Sequence, residues 1–95
     1  MNEFGLKQEV LDFIIEAAKK YDINEVVLFG SRATGRFTQK SDIDLAVSGD
    51  HYHDFIETID ERCPTLLSFD IVNLAHPLSE AFAKRISEEG VRIYG

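Results

Sequence analysis

A glycine–serine pair, Gly30-Ser31, is followed eleven residues after the serine by Asp42-Ile43-Asp44. The glycine lets a backbone approach a phosphate closely, and the serine hydroxyl can add a hydrogen bond to the same anion. The two aspartates are two apart, so in a strand they point to one side while Ile43 and Leu45 point to the other, toward a core. Two carboxylates aimed at one point repel each other. At ~4 Å and an effective dielectric near 20 the penalty is on the order of 4 kcal/mol. A divalent cation would relieve it. A carboxylate pair beside a phosphate-cradling turn therefore points to metal-assisted chemistry on a nucleoside triphosphate.

Each piece taken singly has a plainer account. Gly-Ser is most often a turn followed by an ordinary helix cap, and Asp-x-Asp at a strand opening is more often a solvated turn. Arg32 could clamp phosphate, although a lone arginine near a helix start is more often solvated. Ser41 and Gly35 are, singly, loop residues. The combination carries more weight, because turn, loop length and carboxylates must all fit one phosphate–metal geometry. Asp70 adds to it. It interrupts the apolar run Leu66-Leu67-Ser68-Phe69-Asp70-Ile71-Val72, a poor place for a charge unless it meets solvent, a partner or a metal.

The elements that must carry these residues follow from hydrophobic periodicity. Leu6, Val10, Phe13, Ile14, Ala17 and Tyr21 predict a helix from about residue 4 to 21. Glu25 to Phe29 reads as a buried strand, Ser31 to Thr34 as a short helix, Gly35 to Lys40 as a polar loop, and Asp42 to Ser48 as a second strand. Tyr52, Phe55, Ile56, Ile59 and Cys63 mark a second full helix that stops before Pro64. Leu66 to Asn73 reads as a third strand. Pro77 suits the first turn of a last helix with Leu78, Phe82 and Ile86 as its stripe, closed by Gly90 and followed by a short strand from Val91 to Tyr94.

Alternating helices and strands predict an α/β (α+β) fold with helices packed on a small mixed sheet. For the end of the first strand to meet the start of the second, those two must run antiparallel. For Asp70 to approach Asp44 across an intervening helix, the second and third must run parallel.

Ten basic and seventeen acidic side chains leave a formal charge of −7, which argues against direct nucleic-acid binding, since affinity for phosphate backbones comes from lysine and arginine. The excess suits a solvated face or a basic partner. The 95 residues predict one domain, 1–95, with one modest core. The apolar runs are too short to cross a membrane, and the opening Met1-Asn2-Glu3-Phe4-Gly5 has no secretory pattern. The single cysteine, Cys63, reads as a buried small hydrophobe suited to a reducing compartment, so a cytoplasmic location is expected. His51-Tyr52-His53, flanked by Asp50 and Asp54, lacks the further ligands of a transition-metal site and reads as solvated surface. His76-Pro77 belongs to the entry of the last helix.

On these residues the chain resembles the minimal nucleotidyltransferases of the DNA polymerase β superfamily, marked by Gly-Ser, a short helix and loop, Asp-x-Asp, and a third carboxylate on a later strand. Gly30, Ser31, Asp42, Asp44 and Asp70 match that signature one for one. The turn Gly30-Ser31-Arg32-Ala33-Thr34-Gly35 and the ending Glu89-Gly90-Val91-Arg92-Ile93-Tyr94 resemble the stand-alone prokaryotic members. The family turn often has a second arginine where this chain has Thr34, a departure that bears on one phosphate contact.

The resemblance implies that Asp42, Asp44 and Asp70 are catalytic and hold two Mg²⁺ ions, replaceable by Mn²⁺, roughly 3.5–4 Å apart. It implies that Gly30, Ser31, Arg32 and Ser41 bind the nucleoside triphosphate, ATP being expected. It further implies a helical HEPN protein, a ribonuclease-type toxin, as partner and acceptor of AMP, with this chain as antitoxin. Two alternatives belong to other classes: a module that binds nucleotide and masks a HEPN partner without catalysis, and a transferase acting on a small aminoglycoside-like molecule. A full carboxylate set favours catalysis. The expected lack of a separate acceptor domain disfavours the small-molecule reading.

Overall fold

Seven residues, Ile23-Asn24-Glu25-Val26-Val27-Leu28-Phe29, are rich in β-branched and aromatic side chains and form the central strand β1 (Ile23–Phe29). In the computed structural model, which describes residues 2–95, helix α1 (Gln8–Lys20) precedes β1. The single turn α2 (Ser31–Thr34) follows β1, leading through a loop to β2 (Ile43–Gly49). Helix α3 (Tyr52–Arg62), β3 (Phe69–Asn73), α4 (Glu80–Glu89) and β4 (Val91–Tyr94) complete the order.

The sheet runs β3-β2-β1-β4. β1 and β2 are antiparallel, with Phe29 opposite Asp44, and β2 and β3 are parallel, with Asp44 opposite Asp70. Both pairings are the ones the chemistry demanded. β4 lies antiparallel on the other edge of β1, pairing Val27 with Arg92.

Strand alternation splits the sheet into two unlike faces. One is covered by α1 and α3, where Val10, Ile14, Ala18, Phe55 and Ile59 close over Val26, Leu28, Ile43, Leu45 and Val47. The other is only partly covered, by α4, whose Ile86 joins Phe29 and Ala46. Asp44 and Asp70 lie on this second face, each beside strand residues that face α4: Ala46 and Val72.

Element edges differ from the periodicity reading in several places; β2 opens at Ile43 and runs to Gly49, so Asp42, expected as its first residue, lies just ahead of the strand. α1 begins at Gln8, because Asn2 Oδ1 accepts the Phe4 and Leu6 N–H groups (3.1 and 3.2 Å) and folds that stretch into a turn. Gly5 sits in this turn at φ 67°, and a Cβ there would collide with the Phe37 ring. β1 starts two residues early, directly after Asp22 at φ 53°. Leu66 is fully exposed, and β3 starts only at Phe69: Thr65 Oγ1 accepts the Leu67 N–H at 3.1 Å and holds a turn, and the ladder opens with Ile43 N–H donating to Ser68 C=O. α4 starts after Ser79, whose hydroxyl accepts the Phe82 N–H at 3.2 Å, so this cap sets the boundary and Pro77 lies ahead of it.

Candidate active site

Gly30 ends β1 at φ 74°, ψ −154°, a backbone conformation that only glycine adopts without strain. A Cβ at this position would also strike Asp44 Oδ2, so the carboxylate is laid directly over the glycine. The Gly30 carbonyl accepts the Ala33 and Thr34 N–H groups, both at 3.2 Å, which winds α2. Gly30 is itself the N-cap, with no side-chain cap bond. Ser31 is thus the first helical residue, its hydroxyl is not engaged in capping, and the plainer account of it fails.

Asp44 is half-buried, while Asp70 and Asp42 are exposed. Burial pushes the Asp44 carboxyl above its ordinary pKa. Repulsion from Asp70, then from Asp42, pushes the same way, and the charge of Arg85 partly opposes them. The three aspartates therefore share one electrostatic neighbourhood. Among the described residues, no three carboxylate, imidazole or thiol groups are drawn close enough to form a ready-made metal cage. Like charges without a counter-ion keep apart, and the exposed Asp42 and Asp70 have room to do so. The donor set still suits a hard divalent cation: oxygen ligands only, Asp44 and Asp70 on one face and Asp42 near enough to act on Asp44, with a repulsion for a cation to relieve.

Two of the expected nucleotide contacts are not brought to this face. Arg32 is 1% exposed, and its guanidinium is wrapped in backbone carbonyls. Nε donates to Ser41 O (3.1 Å) and Nη1 to Phe4 O and Gly5 O (3.0 and 3.2 Å). Nη2 donates to Ser41 O (2.9 Å), Thr38 O and Gln39 O (both 3.4 Å). A guanidinium has five N–H donors, and these acceptors occupy them. Arg32 ties the N-terminal turn to the 38–41 loop instead of clamping phosphate. Ser41 belongs to the same lock: its hydroxyl accepts the Thr38 N–H at 2.8 Å while its carbonyl holds Arg32.

The sequence reading missed Arg85. It flanks the α4 stripe of Phe82 and Ile86, and a basic residue one position before a stripe residue on the helix nearest the carboxylates was the signal available. Phe82 meets Phe29 edge-on at 5.7 Å between ring centres, and the Arg85 guanidinium carbon lies 5.9 Å from the Phe29 ring centre. Cys63 is half-buried, and burial, with Glu9 nearby, pushes its thiol up to about 11, so it is unreactive at neutral pH. His51 and Asp54 make a solvated 3.8 Å pair, as expected of surface. Two grooves, of about 570 Å³ between α1 and α3 and about 910 Å³ beside Leu66, lie away from the carboxylates.

Residues 12–95 match the family model described as "Polymerase beta, Nucleotidyltransferase". The chain belongs to this family. It is 34% identical over 90 residues to a curated relative from Methanocaldococcus jannaschii named "Putative protein adenylyltransferase MJ0604", spanning 92% of this chain and 85% of the relative. Its activity class is nucleotidyl transfer.

Among solved structures, it superposes on a chain of a toxin–antitoxin crystal structure with AMP-PNP, at a TM-score of 0.70 and 20% identity over 90% of this chain and 73% of that one. A chain from the complex of a tri-AMPylated Shewanella oneidensis HEPN toxin with an MNT antitoxin gives 0.65 and 19%, over 95% and 73%. At these identities the likeness establishes a shared fold. Among the described residues no helix is long and apolar enough to cross a membrane.

Proposed function

We propose that this polymerase β-family domain is an Mg²⁺-dependent adenylyltransferase that moves AMP from ATP to a hydroxyl of a helical HEPN-type partner protein, acting as its antitoxin. The observation that carries the catalytic part is the register: Phe29–Gly30 ends opposite Asp44, and Asp44 lies opposite Asp70. One sheet edge thus holds an anion-accepting turn and the carboxylates side by side. The biological part is supported by the relative's adenylyltransferase name and by the toxin–antitoxin assemblies that share the fold.

In this reading Gly30, lacking a Cβ, admits the outer phosphates to the turn, and the Ser31 hydroxyl donates to a phosphate oxygen. Asp42, Asp44 and Asp70 would hold the divalent ions, whose contribution is to neutralise charge on the phosphates and make the acceptor hydroxyl more acidic. Asp70, exposed on the open face, receives the proton of that hydroxyl. The hydroxyl oxygen attacks the α-phosphorus in line. A new O–P bond forms, the bond from the α-phosphorus to its bridging oxygen breaks, and pyrophosphate leaves with the electron pair. The modified partner gains one AMP.

Incubating the protein and the product of its neighbouring gene with ATP and Mg²⁺, then measuring the partner's intact mass, tests this. An added AMP that disappears with Asp44→Asn is the expected result. Tight binding without any mass change, whichever nucleotide is supplied, would replace catalysis with masking.

A further inference from the structure

The site as built so far is short of positive charge. It gathers three carboxylates beside a turn meant for a polyanion, and its nearest arginine in sequence, Arg32, is locked in the loop behind it. Thr34 is uncharged, and its hydroxyl is turned back onto the Gly30 and Ser31 carbonyls at 3.2 and 3.3 Å. Neither Arg32 nor Thr34 offers a phosphate a free cation, and the exposed Arg36 lies beyond Gly35 at the far end of the turn.

Arg85 can. It projects from α4 on the open face of the sheet, half-exposed, with its guanidinium at the Phe29 ring. Phe29 is the residue before Gly30 and the register partner of Asp44, so the ring beside the guanidinium belongs to the strand end that joins the turn to Asp44. Phe82, edge-on to the same ring, and the buried Ile86 fix the helix that carries it. Nε is paired with Glu89 at 3.2 Å, the only hydrogen bond of this side chain among the described residues, so neither terminal nitrogen is engaged by a protein acceptor there. Among the described residues it is also the cation whose charge bears on Asp44.

We infer that Arg85 binds the phosphate chain of the nucleotide, supplying from α4 a cationic contact that neither Arg32 nor Thr34 provides. The inference rests on the nucleotidyltransferase reading above and adds a residue to it. A planar guanidinium with one edge held by Glu89 and the other free matches paired phosphate oxygens in a way that a lysine cannot. Glu89 keeps the fork aimed, and the aromatic face of Phe29 supports it without consuming its donors.

Equilibrium binding of ATP and of adenosine to the full chain, with wild type, Arg85→Gln and Arg85→Lys, tests the inference. A charge-assisted contact of this kind corresponds to about tenfold or more in affinity. Arg85→Gln should therefore weaken ATP by about that factor and leave adenosine unchanged. Arg85→Lys should fall between, and the same order should appear as a rise in KM for ATP with little change in kcat. Equal ATP affinity in wild type and Arg85→Gln overturns the inference and leaves the nucleotidyltransferase reading standing. So does parallel loss of ATP and adenosine binding, or a fall in melting temperature that Arg85→Lys fully repairs together with ATP binding, since either makes the residue a prop for α4. Wild-type protein that binds ATP no better than adenosine overturns both.

Discussion

On the α1–α3 side of the sheet, Val26, Leu28, Ile43, Leu45 and Val47 are completely enclosed, and Phe55 and Ile59 fill the space above them. On the α4 side the buried set is Phe29, Ala46 and Ile86, with Val27, Val72 and Phe82 only partly covered, and the same face holds Asp44, Asp70 and the reach of Arg85. The same strand serves both: along β2, Ile43, Leu45 and Val47 go to the first face while Asp44 and Ala46 go to the second. Fully burying one large apolar side chain contributes about 1.5–3 kcal/mol, so several of them on the closed face outweigh a carboxylate repulsion of a few kcal/mol on the open one. A domain of this size can hold repelling charges on neighbouring strands because strand alternation sends cohesion and chemistry to opposite sides.

If that division holds, substitutions on the two faces should fail in different ways. Asp70→Asn should cut nucleotidyl transfer by about 10²–10⁴, the range for removing a general base, with no loss of stability in urea or heat. Phe55→Ala should do the reverse: about 3–5 kcal/mol of stability lost from an enclosed aromatic, with kcat per folded molecule preserved at low temperature. An unfolded Asp70→Asn, or a folded Phe55→Ala with crippled chemistry, would break the comparison.

The two arginines sharpen it at a smaller scale. Arg32 works inside the fold, so Arg32→Lys, which cannot satisfy six backbone contacts with three donors, should cost about 1.5–3 kcal/mol from lost charged hydrogen bonds. It should leave KM for ATP near wild type. A raised KM without a change in melting would return Arg32 to the phosphate.

Local chemistry was legible in the sequence wherever a short-range rule applied. Strand alternation gave the direction of Asp44 against Ile43 and Leu45; the need for Gly30-Ser31 to meet the aspartates gave the antiparallel pair, and the need for Asp70 to approach Asp44 gave the parallel one. Arg32 was not legible as an internal lock, because its acceptors on Phe4 and Gly5 come from a turn 27 and 28 residues earlier in the chain. Nothing near Arg32 announces that turn, and the apolar Phe4 and Leu6 instead looked like the first turn of α1. Boundaries failed where one side chain overrode a pattern: Asn2 at the start of the chain, Thr65 before β3, Ser79 before α4. Arg85 was hidden for a further reason. Its meaning depends on which edge of the sheet α4 covers, and the periodicity of α4 gives only the stripe that is buried.

The smallest expected effect concerns the electrostatic cost of the open face itself. Asp44 has its pKa raised chiefly by burial, then by Asp70 and Asp42, with Arg85 partly opposing. The folded protein therefore binds a proton at Asp44 more readily than the unfolded chain does. Between the ordinary carboxylate pKa and the raised one, the native state carries more protons at Asp44, so this group's contribution to stability falls as pH rises through that window and is fully present below it. Asp44→Asn removes the titrating group. Melting curves without divalent cation, taken from acid to neutral pH, should show the variant losing less stability than wild type across the window and ending at least as stable at neutral pH. Adding Mg²⁺ at neutral pH should raise the wild-type melting temperature, since a ligand of the native state alone stabilises it by mass action, and should raise that of Asp44→Asn less. Parallel pH curves for the two proteins would mean that Asp44 titrates alike in both states and that the open face bears no electrostatic strain. The comparison between faces would then reduce to one of burial.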